Sequence, residues 1–254
     1  MQAARRLSRR AHRERERAFL VEGPRAVRDA LERGYAIKEL FVSDHDDDLV
    51  TLAHEHGVPV VDVDASVMRA IADTITPQGV VAVVAMPHRR LSDVIAKGDL
   101  VLVLVDVRDP GNAGTLLRSA TAAGASAVVF TKGAVDPFGP KTVRAAAGTT
   151  FHVPVVSGEP LEEVVDALRA AGFAVCGADA HGDRDMGDID MTGRIAIVVG
   201  NEGWGIDDEA RSLIEATVRI PMPGPAESLN VGIAGSILLF EAVRQRRLSS
   251  GNHE

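Results

Sequence analysis

The chain has 254 residues, 46% hydrophobic and 25% charged, a globular composition with room for one large domain or two ordinary ones. Its single cysteine, Cys176, excludes a disulfide framework and a cysteine-based zinc site and fits a reducing cytoplasm. No stretch approaches the roughly 18 apolar residues of a membrane span, and the Arg-rich start has no apolar run behind it to make a signal peptide.

The net charge of −8 is unevenly spread. Residues 1–17 hold seven arginines against two glutamates, a net +5 that leaves −13 for the rest. A basic arm on an acidic body is one way to reach phosphates locally, so Arg5, Arg6, Arg9, Arg10 and Arg13 are candidate RNA contacts. A solvated, partly helical tail accounts for the same charge.

In chain order, Phe19 to Gly23 reads as a short strand. Pro24 sits in a first helical turn, and Ala26, Val27, Ala30 and Leu31 continue at helical spacing to a stop at Gly34. Ile37 to Val42 is a strand, Leu49 to His56 a helix, Val58 to Val63 a strand, Ser66 to Ala72 a helix and Val80 to Val84 a strand. That alternation predicts an α/β/α layer over residues 18–88. Residues 89–98 read as a linker carrying a short helix. From residue 99 to the end, apolar runs at Leu100–Val105, Ala127–Phe130, Ala174–Cys176 and Ile195–Val199 alternate with helical patterns at Thr115–Ala123, Leu161–Ala171 and Glu209–Ile214. A last helix runs from about Asn230 to Arg246. The second half is therefore an α/β domain on a doubly wound parallel sheet.

Three segments could carry chemistry. The first, Asp106 to Arg118, follows a buried strand and enters a helix. Asn112 is placed to cap that helix, and Arg118, six residues on, is expected on roughly the same face. The second, Ile195 to Ile206, contains Gly200-Asn201-Glu202-Gly203, whose glycines permit close backbone approach to a ligand. Its spacing is not the dinucleotide fingerprint, which counts against a nicotinamide enzyme. The third, Ile220 to Asn230, is a rigid proline-rich loop, and Ser228 or Asn230 opens the final helix.

Other segments carry less. Pro140 interrupts the Gly-Lys pair that a phosphate-binding loop needs at Gly139 to Thr142. His54 and His56 with Asp46 to Asp48 read as a polar helix face before a metal site. Asp179, His181, Asp183 and Asp185 have no calcium spacing, and Cys176 reads as core.

Together the three segments resemble the SpoU (TrmH-like) branch of knotted RNA methyltransferases. Asn112 and Arg118 match the first motif, Gly200, Glu202 and Gly203 the second, and Ile220-Pro221-Met222 with Ser228-Leu229-Asn230 the third. Residues 18–86, with Val21-Glu22-Gly23 and Thr76-Pro77-Gln78-Gly79-Val80, resemble the ribosomal-protein-like substrate-binding domain often fused before it. The resemblance implies a deep trefoil knot, an obligate homodimer and methyl transfer from S-adenosylmethionine to a ribose 2′-hydroxyl. The substrate it implies is ribosomal RNA. Transfer RNA, or RNA binding without catalysis, is the alternative. It implies catalytic or orienting roles for Arg118, Asn112, Ser228, Asn230 and Glu202. Gly200, Asn201, Gly203, Ile220, Met222 and Leu229 would hold the cofactor, with no metal. Whether Arg118 acts as an RNA-assisted base or as a cation beside the developing alkoxide stays open, although an ordinary arginine keeps its proton.

Overall fold

The computed structural model describes residues 2–44, 47–72 and 74–251. Asp46, one of the acids beside His54 and His56, lies outside the described residues. The chain forms two compact units, one of residues up to 88 together with 136–152, the other of 89–135 together with 153 onward.

The first unit contains α1 (Gln2–Arg6), α2 (Arg10–Glu16), β1 (Ala18–Glu22), α3 (Pro24–Glu32), β2 (Ile37–Val42), α4 (Asp47–Glu55), β3 (Val60–Asp62), α5 (Ala65–Ile71) and β4 (Val80–Ala85). Its sheet runs β1-β4-β2-β3, antiparallel except for the β2–β3 pair. β1 is buried on both faces because successive side chains alternate. Ala18 and Leu20 join Ala4 and Leu7 of the N-terminal segment with Met68 and Ile71 of α5 in one cluster. Phe19, on the other face, packs against Phe138 and Phe151, ring centroids 5.0 and 6.3 Å away. Those two phenylalanines come from the inserted segment 136–152, which carries α8 (Pro140–Ala145) and a 3₁₀ turn at Thr149–Phe151.

The segment ahead of β1 thus carries two short helices docked on the unit rather than a loose arm. Arg13 is 4% exposed. Its guanidinium donates to the Leu7 and Ser8 carbonyls at 2.7 and 2.8 Å and pairs with the Asp136 carboxylate. A cation satisfied this way inside the protein is not offered to a phosphate, so Arg13 leaves the set of surface contacts. Arg5, Arg6, Arg9 and Arg10 remain exposed.

The second unit contains α6 (Leu91–Ile95), β5 (Leu100–Leu104), α7 (Pro110–Ala122), β6 (Ala127–Phe130), β7 (Val155–Ser157), α9 (Leu161–Ala170) and β8 (Ala174–Ala178). After these come β9 (Arg184–Asp185), β10 (Ile195–Val199), α10 (Asp208–Ser212), β11 (Ala216–Arg219) and α11 (Val231–Gly251). Seven parallel strands are ordered β7-β6-β5-β10-β8-β11-β9. β5 and β10 lie side by side at the centre and are wholly buried, as a sheet covered by helices on both faces requires. Val101, Val103, Ala196 and Val198 meet α6 and α9 on one face. α7 and α11 pack together, with α11 also against β10. Gly232 and Gly235 allow that approach: a Cβ on Gly235 would lie 2.4 Å from Leu116 Cδ2, and one on Gly232 would lie 3.3 Å from Thr115.

Among the described residues no helix is long and apolar enough to cross a membrane. Cys176 sits in β8, and burial pushes its thiol up to about 12, so it is inert core.

Candidate active site

The chain moves outward from β5 to β6 and β7, then returns to build the other side of the sheet through β8, β10 and β11. The carboxyl ends of β5 and β10 therefore face the point where strand order reverses, the usual ligand crevice of open α/β sheets. All three candidate segments leave the sheet at that edge.

The first begins with Asp106, a non-glycine residue at φ 52°. Its carbonyl accepts from Asn201 Nδ2 at 2.8 Å. Asp109, not Asn112, caps α7: its carboxylate accepts from Asn112 N at 2.8 Å, with Pro110 in the first turn. Asp-Pro ahead of a helical pattern is the signal that would have placed this start. Asn112 therefore sits inside the first turn with its side chain available. Arg118 does not share its face, because six residues at 3.6 per turn leave the two about 120° apart. Arg118 is exposed and has no hydrogen bond or ion pair among the described residues.

The second segment is a tight loop. Asn201 and Gly205 exchange backbone hydrogen bonds at 2.8 and 2.9 Å, and Asn201 Oδ1 accepts from Gly203 N at 2.7 Å. A Cβ on Gly200 would lie 2.2 Å from the Gly205 carbonyl oxygen, so only glycine fits. The loop presents Glu202 to the first segment. Glu202 Oε1 accepts from Asp109 N at 2.9 Å and Asn112 Nδ2 at 3.1 Å, and Oε2 accepts from Arg108 N at 3.2 Å. Partial burial works against the charged form of Glu202. The hydrogen bonds from Asp109, Asn112 and Arg108 outweigh it and hold the carboxyl below the ordinary glutamate range.

The third segment closes the network. Asn230, not Ser228, caps α11, its Oδ1 accepting from Gly232 N at 2.9 Å. Its Nδ2 donates to Asn112 Oδ1 at 2.9 Å. Glu202, Asn112 and Asn230 thus form one chain of hydrogen bonds that ties Asn112 to loops 90 and 118 residues further along the sequence.

Beside that chain lies a cavity of about 410 Å³. Ala178 to His181 after β8 form one wall, Gly200 to Ile206 after β10 the floor, and Ile220, Met222, Ser228 and Leu229 the other wall. Every residue proposed from sequence for the cofactor lines it: Gly200, Asn201, Gly203, Ile220, Met222 and Leu229. Asn112 and Arg118 do not.

A family model described as the SpoU rRNA methylase family matches residues 99–240, more than half the chain. The chain belongs to the SpoU rRNA methylase family. A second model, an MRM3-like substrate-binding domain, matches residues 1–82. The chain is similar to the 23S rRNA (guanosine(2553)-2′-O)-methyltransferase RlmP of Bacillus subtilis, 37% identical over 222 residues that cover 87% of each chain. It is also 37% identical to a 23S rRNA (uridine(2479)-2′-O)-methyltransferase of Streptomyces viridochromogenes, covering 94% of this chain and 87% of that one. The crystal structure of the SpoU methyltransferase AviRb from Streptomyces viridochromogenes, in complex with AdoMet, superposes with a TM-score of 0.89 at 34% identity over 97% of both chains. The fold of this chain is that of the SpoU methyltransferases.

Three contributors to this SpoU site escaped the sequence reading. Asp109 and Arg108 meet Glu202 through backbone N–H groups, which no residue type advertises, although Asp109 as a helix cap is signalled by the Asp-Pro pair. Asp179, read as part of a polar loop, lines the cavity and is ion-paired with Arg211 of α10.

Proposed function

We propose that the chain transfers a methyl group from S-adenosylmethionine to a ribose 2′-hydroxyl of ribosomal RNA. The observation that carries this reading is the Glu202–Asn112–Asn230 chain, which converges three family motifs beside one cavity. The cavity suits the donor: Ile220 and Leu229 offer apolar walls for an adenosine, glycine-rich backbone allows close approach, and polar Asp179, His181 and Arg211 suit an amino-acid tail. When bound, the donor supplies an electrophilic methyl group on a sulfonium.

The protein's part is positioning and charge. Glu202 and Asn230 hold the loops in register, so reacting groups meet at a fixed angle. Arg118 supplies a permanent cation for the alkoxide that develops on the ribose oxygen as its proton passes to solvent, leaving the donor as the neutral thioether. Ser228 lines the cavity and makes no hydrogen bond among the described residues, which leaves its hydroxyl for ribose or Arg118.

We also propose a homodimer, a knotted C-terminal segment and a cytoplasmic setting. Arg118 stands outside the lining of its own cavity, so a second copy brings acceptor-side groups to the donor. The outer stripe of α11, with Ile233, Phe240 and Leu248 each about half exposed, supports that assembly.

The test is methylation of ribosomal RNA with labelled donor, followed by mapping of reverse-transcription stops. A single ribose stop that depends on the donor supports the reading. No label in RNA from any ribosomal subunit overturns it.

A further inference from the structure

Trp204, the chain's one tryptophan, tips the loop that Asn201 and Gly205 pin shut. It touches the cavity, yet its residue surface is 57% exposed. An aromatic face open to water beside a ligand site offers a surface on which a planar group can stack.

The indole has one fixed neighbour. The Arg108 guanidinium carbon lies 5.2 Å from the ring centroid, within cation–π range. Arg108 does not wander. Its Nε and Nη2 donate to the two carboxylate oxygens of Asp106 at 3.0 Å each. Asp106 is itself fixed by left-handed backbone and by the bond from Asn201 to its carbonyl. Two planar groups, both exposed, lie together beside the cavity that Trp204 lines. Their supports all trace back to Asn201, which is 7% exposed.

We propose that Trp204 and Arg108 form a stacking platform for a nucleobase of the acceptor RNA strand. This rests on the reading that the acceptor is RNA. Trp204 lines the cavity and is still 57% exposed, so a donor in the cavity and a base stacked on the indole can be neighbours. Unpaired bases are taken up by stacking on aromatic rings and Arg planes. Trp204 binds the base, and Arg108 is a positioning residue that holds the indole.

The single tryptophan makes the test direct. The full chain is first saturated with S-adenosylhomocysteine. A short single-stranded oligoribonucleotide is then titrated while Trp204 fluorescence is read. Further quenching supports the platform. Quenching by S-adenosylhomocysteine with no further change on adding RNA assigns Trp204 to the donor and overturns it.

Kinetics supply the second readout. Trp204→Ala is expected to raise the KM for RNA about tenfold, the scale of one stacked base, and to move the donor KM far less. Trp204→Phe should recover most of the loss. An RNA KM unchanged in Trp204→Ala overturns the platform. Fluorescence quenching by RNA in a wild-type protein that transfers no methyl group would instead overturn the reaction and leave the platform standing.

Discussion

At the scale of the residue, the site is a set of carbonyl, amide and carboxylate groups whose partners are spent on one another. Among the described residues Arg118 and Ser228 have no such partner, and Arg118 is a cation. Arg118→Ala is expected to cut methyl transfer by about a thousandfold or more, as loss of a transition-state charge partner does. Donor binding, read by calorimetry, should be nearly intact.

Glu202 behaves differently. Glu202→Gln places an amide where three N–H groups converge, so one donor faces another. The expected loss is about 1 kcal/mol in urea unfolding, at the low end because the group is partly in water. The pH dependence follows from the sign of its shift. A carboxyl held below its ordinary range stabilises the folded loop at neutral pH, and that contribution is lost only as pH falls through the lowered value. Donor affinity should therefore be flat down to the ordinary glutamate range and fall below it. An earlier decline would point to another group.

At the scale of the element, the long strands and helices were legible because burial imposes a period. Leu100–Val105 and Ile195–Val199 read as continuous apolar runs and are the central pair β5 and β10. β7, β9 and β11 are not legible, since each is two to four residues long and, unlike Ala127–Phe130, includes polar residues, which are Ser157, Arg184, Asp185, Thr217 and Arg219. The motifs gave the cavity lining and left two candidates, Ser228 and Asn230, for the last cap, but missed Asp109 as the cap of α7. Asp109 and Asn230 do the capping, while Asn112 and Ser228 fitted that role equally well by residue type. Nor could residues 1–17 show that they dock, because Ala4 and Leu7, which join the core, stand among seven arginines with no apolar period. Replacing Arg5, Arg6, Arg9 and Arg10 with Gln keeps those helices and removes their charge. RNA binding should weaken, and its slope against log salt should flatten by about 0.7 to 0.9 for each phosphate no longer neutralised. An unchanged slope would make these helices purely structural.

At the scale of the whole molecule, the proposed homodimer can be tested on the exposed apolar stripe of α11. Phe240→Asp puts a charge in the exposed stripe of α11, at a residue that is 48% exposed. Sedimentation should then show a monomer where the native chain sediments as a dimer, and methyl transfer should fall with it. A monomeric native chain would refute the assembly.

The inserted segment 136–152 has a consequence in time rather than space. Phe19 is made early, but its partners Phe138 and Phe151 follow β5, α7 and β6 in the chain. The amino-terminal unit therefore cannot finish folding as it leaves the ribosome. It must wait, partly assembled, until much of the other unit has been synthesised, and a nascent chain halted before Asp136 should remain open to protease.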